Sequence, residues 1–302
     1  MDRLERVSGG LFGVACGDAL GGTLEFTNKN IGIQMYGYHR EIVGGGVMKL
    51  MPGEVTDDTI MTIAVAEGIL ENSENPIEAI GKRFVKWYNS NPPDIGITCQ
   101  DAIGEFINCG DWIEAGLRVK AYSKGMNAGN GTLMRCIPAA LYYNNFDKMI
   151  EVTKAQSDMT HYNEKASEAC ILYNTIIYRY LNEGKKLEVV KDVMKGYPEY
   201  ERVFSMTKDD LNASGYVVDS LQCALWCFIN NNTVEDIICE AVNLYGDPDT
   251  IGAIAGGLAG VYYGYNSIPE RWREKILVKK DLKNIAQMII SKPFRNILFK
   301  IN

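Results

Sequence analysis

The sequence predicts an all-α protein, and three observations carry that expectation. Apolar residues recur at helical spacing through most of the chain. Alternating β-branched runs between turn signals never last more than a few positions. Several apolar stretches open on Thr, Asn or Asp with acids close behind, the pattern of helix N-termini. The stretches 42–53, 89–96, 124–131 and 246–248 read as loops. None is long or biased enough for a linker, and no repeat is present, so residues 1–302 are expected to form one compact domain.

The first well-marked helix lies in "GEVTDDTIMTIAVAEGIL", Gly53 to Leu70. Met61, Ala64, Val65, Gly68 and Ile69 share one face, while Ile60 and Ile63 lie off it. The helix is therefore apolar on most sides and expected to be central. Thr56, Asp57, Asp58 and Thr59 form its tip. Thr is a good N-cap and acids suit the first turn, so alone the cluster is a well-capped helix start. Asn75 and Pro76 read as cap and first residue of the next helix, with Ile77, Ile80, Phe84, Val85 and Tyr88 on one face. Residues 157–180 and 216–229 read as further helices. Thr233 with Asp236 resembles a capping box ahead of Val234, Ile237, Ile238 and Ala241.

The last element, "NLYGDPDTIGAIAGGLAG" from Asn243 to Gly260, changes the reading of the first. Asp247, Asp249 and Thr250 again place carboxylates and a hydroxyl at a helix tip, and Pro248 fixes φ between the two aspartates. Each glycine in the body costs about 1 kcal/mol of helix propensity, which makes sense where another helix must approach closely. Two acidic tips heading buried helices are expected to converge. Four carboxylates together repel unless a cation lies between them. Ligands that are all oxygen suit Mg²⁺ or Mn²⁺ rather than zinc or copper.

Composition narrows the partners. A chain of 302 residues, 46% apolar and 23% charged, can bury a large core. A net charge of −7 without a long basic run argues against nucleic acid or an acidic membrane. The start, MDRLERVSGG, lacks a signal-peptide core, and 251–263 falls short of the roughly 20 apolar residues of a span, so a cytoplasmic protein is expected. Eight scattered cysteines without CxxC read as buried thiols. Only two histidines occur, which excludes a His-rich zinc site; His39 has no partner motif and reads as surface or loop.

Taken in order, "GLFGVACGDALGGTLEF", "GEVTDDTIM", "PPDIGITC", "NAGNGTLMR", "THYNEKA", "GYVVDSLQCALWCF" and "AVNLYGDPDTIGAIAGGLAGVYYG" resemble the ADP-ribosylglycohydrolase family. The resemblance spans nearly the whole chain. It implies an orthogonal bundle with a dinuclear Mg²⁺ or Mn²⁺ centre at the tips of central helices, hydrolysing the glycosidic bond at C1″ of ADP-ribose. By the same resemblance, Thr56, Asp57, Asp58 and Asp249 would hold one ion. Asp247, Asp249 and Thr250 would hold the other, with Asp249 bridging. Glu25 matches the mobile glutamate beside the metals. Asp94 matches an acid near the distal ribose in arginine-specific members. Gly129, Asn130, Gly131 and Thr132 match the loop that holds phosphates and ribose, and His161 a histidine of the same pocket.

These assignments are chemically coherent. A Gly-Asn-Gly-Thr turn leading into a helix can offer N–H donors to a diphosphate. Hydrolysis at C1″ passes through an oxocarbenium-like state aided by an acid and a base. Metals gripping ribose hydroxyls can orient the sugar and polarise water. Tyr216, or Tyr262, Tyr263 and Tyr265, could stack an adenine or simply pack on helix faces. The family commonly has Pro at Thr23 and Thr or Ser at Pro248; the second departure bears on the second metal's surroundings. The leading expectation is removal of ADP-ribose from arginine side chains. The rivals are a non-catalytic ADP-ribose-binding or structural protein, a hydrolase of serine-linked or small-molecule ADP-ribose, and a di-metal phosphohydrolase.

Overall fold

The computed structural model describes residues 1–182 and 184–291. Glu183 and residues 292–302 of the expected 1–302 unit lie outside them. The chain opens with α1 (Arg3–Gly21), α2 (Lys29–Tyr36), α3 (Asp57–Glu71) and α4 (Ile77–Tyr88). Next come α5 (Ile97–Cys109), α6 (Trp112–Tyr122), α7 (Ile137–Tyr142) and α8 (Phe146–Asp158). They are followed by α9 (Glu164–Asn182), α10 (Lys186–Met194), α11 (Pro198–Glu201) and α12 (Val217–Asn230). The chain closes with α13 (Val234–Val242), α14 (Pro248–Tyr263), α15 (Glu270–Arg273) and α16 (Lys279–Ser291). Among the described residues β-structure is confined to two isolated bridges, Gly45 with Leu50 and Gly129 with Tyr216. The protein is all-α, as expected.

The centre of the fold is the antiparallel pair α1 and α14. Gly9, Gly13, Gly17 and Gly21 of α1 lie against Gly260, Gly256, Gly252 and Pro248 of α14. A Cβ built on Gly13 would stand 2.0 Å from the Gly256 carbonyl oxygen, and one on Gly17 2.0 Å from that of Gly252. The two backbones touch, which only glycine permits. This is the close neighbour that the glycines of α14 call for. Because the helices run antiparallel, the end of α1 meets the start of α14, and Glu25 follows α1 by one turn.

Several elements depart from the sequence reading. The expected helix over 157–180 is broken at 159–163, because Asn163 starts α9 afresh: its Oδ1 accepts from Lys165 N–H and its carbonyl from Ser167 N–H. Pro76 takes up helical angles as expected, yet no side chain caps α4. Thr233 does cap α13, accepting from Asp236 N–H at 3.0 Å. His39 is buried rather than at the surface, since its N–H and carbonyl both bond to the Asn243 side chain, at 2.8 and 2.9 Å. Tyr262 packs on Phe228 and Tyr180, and Tyr265 on Phe12, at the end of α14 away from its acidic tip. The eight cysteines are all free thiols, seven of them buried. No helix among the described residues is long and apolar enough to cross a membrane.

Candidate active site and metal centre

The two acidic tips converge. Thr56 caps α3 through its own side chain, and the first turn then carries Asp57 and Asp58. Pro248 occupies the first turn of α14, where its missing N–H costs nothing, with Asp247 as N-cap and Asp249 beside it. Asp58 Oδ2 accepts from Thr56 Oγ1 at 3.1 Å and from Thr250 Oγ1 at 3.3 Å, which ties the tips together. Glu25, Asp247 and Asp249 each present an oxygen within 4.8 Å of the others. Phe26, at φ 57°, and Tyr245, at φ 64°, are left-handed beside these acids, so the backbone is strained on both approaches.

A cavity of about 480 Å³ opens over this cluster. Glu25, Asp57, Asp94, Asp247, Asp249 and Thr250 line one side; Gly129, Asn130, Gly131 and His161 line another. Among the described residues no Lys or Arg is part of its walls. Burial and mutual repulsion therefore oppose ionisation. Asp57 is pushed up to about 8 and Glu25 to about 7, in each case by burial first. Burial also raises Asp58, Asp94, Asp247 and Asp249. The nearby Glu25 carboxyl is among the groups that raise Asp249 further, after burial.

Two buried oxygens, Glu25 Oε2 and Asp58 Oδ1, have no hydrogen-bond partner. Orphaned buried acceptors in an all-oxygen donor set are what a hard divalent cation satisfies. The residues present fit such an ion.

Loop 129–132 is fixed at the far side of the cluster. Asn130 Nδ2 donates to Asp247 Oδ2 at 2.8 Å and to Ser220 Oγ of α12 at 2.9 Å. The Asn130 N–H goes to the Gly215 carbonyl, which removes it from the donors expected for a phosphate. The loop leads into α7 only at Ile137, not directly into a helix. Thr132 is fully buried behind the loop, its hydroxyl accepting from Ser157 Oγ, and does not line the cavity. Tyr216 stands outside the walls as well; its neighbour Gly215 lines the cavity instead.

A match to the ADP-ribosylglycohydrolase family runs over residues 1–296. The chain belongs to that family. This ADP-ribosylglycohydrolase is 33% identical to ADP-ribosyl-[dinitrogen reductase] glycohydrolase of Rhodospirillum rubrum, over 91% of each chain. It is 29% identical to ADP-ribosylarginine hydrolase Tri1 of Pseudomonas putida, over 96% of this chain and 79% of that one. A solved ADP-ribosylglycohydrolase-related protein complex superposes with a TM-score of 0.81 at 30% identity, covering 95% of this chain and 98% of that one.

The glycohydrolase fold also exposes residues that sequence reasoning missed. Asp18 is fully buried in α1 and accepts from Thr56 N–H at 2.9 Å, from Thr59 N–H at 3.0 Å and from the Thr59 hydroxyl. It anchors the tip of α3 to α1. The signal was available: Asp18 is the lone charge between Val7 and Leu24.

Arg135 is the second such residue. Buried over the Phe84 ring, it donates to Thr160 Oγ1 at 2.8 Å, and Thr160 Oγ1 lies 2.9 Å from His161 Nδ1. Nδ1 is thus held by the Thr160 hydroxyl, and Nε2 faces Gly129 and Gly131. Burial, then the Arg135 charge, lower His161 to about 3, so the ring is neutral.

Proposed function

We propose that this chain is a divalent-metal-dependent hydrolase that cleaves the glycosidic bond at C1″ of ADP-ribose and releases an arginine side chain. One observation carries the reading: both acidic tips, Glu25, Asn130 and His161 share one cavity in a member of this family. The relative named for ADP-ribosylarginine supports arginine as the leaving group, and the one named for dinitrogen reductase supports a modified protein as substrate.

Thr56, Asp57, Asp58 and Asp249 are the proposed ligands of one Mg²⁺ or Mn²⁺. Asp247, Asp249 and Thr250 are those of a second. The ions supply polarisation of water and of the ribose hydroxyls. Glu25 is the proposed group that holds or moves the proton of the attacking water, and its unpartnered buried oxygen supports that role. Asp94 faces the leaving group, where a carboxylate can pair with a guanidinium. His161 and the small residues Gly129 and Gly131 are suited to ribose or phosphate oxygens. Residues 1–302 act in this reading as a single catalytic unit.

The test is incubation with ADP-ribosylated arginine and serine peptides, with and without Mg²⁺ or Mn²⁺, following released ADP-ribose. Release from arginine that depends on the metal supports the reading. Efficient release from serine removes the arginine assignment, and no release from either removes the hydrolase.

A further inference from the structure

The acidic cavity does not end at Asp94. Asp57 and Asp94 are also walls of a second cavity of about 330 Å³. The chemistry changes at that partition. Beyond it the walls are Leu50 and Val55 of the long loop before α3, Ile60 of α3, Trp87 of α4, Pro92, and Leu277 ahead of α16. Among the described residues the one further acid is Glu54, whose Oε2 accepts from Met51 N–H at 2.7 Å and so serves the local turn. No Lys or Arg among the described residues lines this cavity.

The leaving group of a modified protein is larger than an arginine side chain. On the hydrolase reading, on which this inference rests, C1″ lies at the carboxylates and the guanidinium lies at Asp94. The arginine stem and its neighbours must then continue away from the ribose. The space adjoining Asp94 is walled by an indole, two prolines and aliphatic side chains from four separate segments. Such walls are pre-formed and gain most from apolar surface. An acidic neighbour would gain no cation from these walls and would meet the Glu54 carboxylate, whereas an apolar one is matched by them.

We propose that this second cavity is the subsite for the polypeptide flanking the modified arginine, and that it selects an apolar residue beside that arginine. Seating one Leu-sized side chain raises kcat/KM by about tenfold or more over an acidic neighbour.

The experiment uses the Mn²⁺-loaded protein and three substrates: ADP-ribosylarginine, and matched peptides whose ADP-ribosylated arginine is flanked by Leu or by Asp. The Leu-flanked peptide should exceed the Asp-flanked one in kcat/KM by about tenfold or more. Leu277→Glu and Trp87→Ala should erase that preference while hydrolysis of ADP-ribosylarginine stays within about twofold. Equal values for the two peptides, or proportional losses on all three substrates, overturn the subsite. A second measurement titrates the unmodified Leu-flanked peptide at saturating ADP-ribose, reading the methyl resonances of Val55 and Leu277. Shifts without any hydrolysis leave the subsite standing and remove the hydrolase reading. Hydrolysis without shifts overturns the subsite alone, and absence of both overturns both.

Discussion

Gly13→Ala probes the seam that positions the site. Its new Cβ would stand 2.0 Å from the Gly256 carbonyl oxygen, against a floor near 3.0 Å for real contacts. The two backbones must therefore part by about 1 Å. Neither side of the contact is a side chain able to turn away, so the cost sits at the top of the usual overpacking range, about 3 kcal/mol. Alanine contributes about 1 kcal/mol of helix propensity in return. The net loss is about 2 kcal/mol, or a fall in Tm of roughly 3 °C for a chain of this size. Gly104→Ala in α5 is the matched control, since its nearest neighbour is the Tyr88 hydroxyl at 3.8 Å. It should hold or raise Tm. The assay is thermal unfolding by circular dichroism without metal, then with Mn²⁺. A Gly13→Ala protein melting within about 1 °C of the native one would refute the argument, as would an equal fall in the control.

Three further outcomes follow from the site. The carboxyls of Asp57 and Glu25 lie higher in the fold than in the unfolded chain, so the metal-free fold holds extra protons and its stability falls as pH rises from about 4 to about 8. Melting scans across that window check this, and saturating Mn²⁺ should abolish the slope; a metal-free Tm that rises with pH contradicts it. Glu25→Gln should lower turnover by about 100-fold while ADP-ribose still binds in calorimetry; lost binding with turnover intact would make Glu25 a contact residue only. Asp94→Asn should penalise ADP-ribosylarginine far more than free ADP-ribose, and equal losses would move Asp94 to the ribose or metal shell.

What the sequence disclosed and what it concealed divide along physical lines. The tips at Thr56–Asp58 and Asp247–Thr250 were legible because capping and like-charge repulsion are local rules. Glycines in α14 announced a close neighbour, but only the fold shows that α1 answers with its own glycines at the same spacing. The break at 159–163 carries no Gly or Pro; it arises where Asn163 Nδ2 donates to the Asn127 side chain at 3.0 Å, a tertiary contact. His39 is likewise buried by Asn243, far away in sequence. Thr132 turned inward because its hydroxyl found Ser157 and Cys170, which no local pattern specifies.

The glycine seam leaves one degree of freedom that the seam itself cannot lock. Glycines spaced by four on both helices form a track with identical notches. Sliding α14 along α1 by four residues would bring glycine back onto glycine, with the helices displaced by about 6 Å. The packing would survive, while Glu25 and Asp249 would part company. The notch in use must therefore be chosen by contacts that do not repeat. Arg6 Nη1 donates to the Val261 carbonyl at 3.1 Å, the Phe12 and Tyr265 rings meet edge to face, and the Tyr173 hydroxyl donates to the Ile254 carbonyl at 3.0 Å. These lie along the shared helices and at their far end. The spacing of Glu25 and Asp249 is thus set in part by contacts outside the acidic cavity.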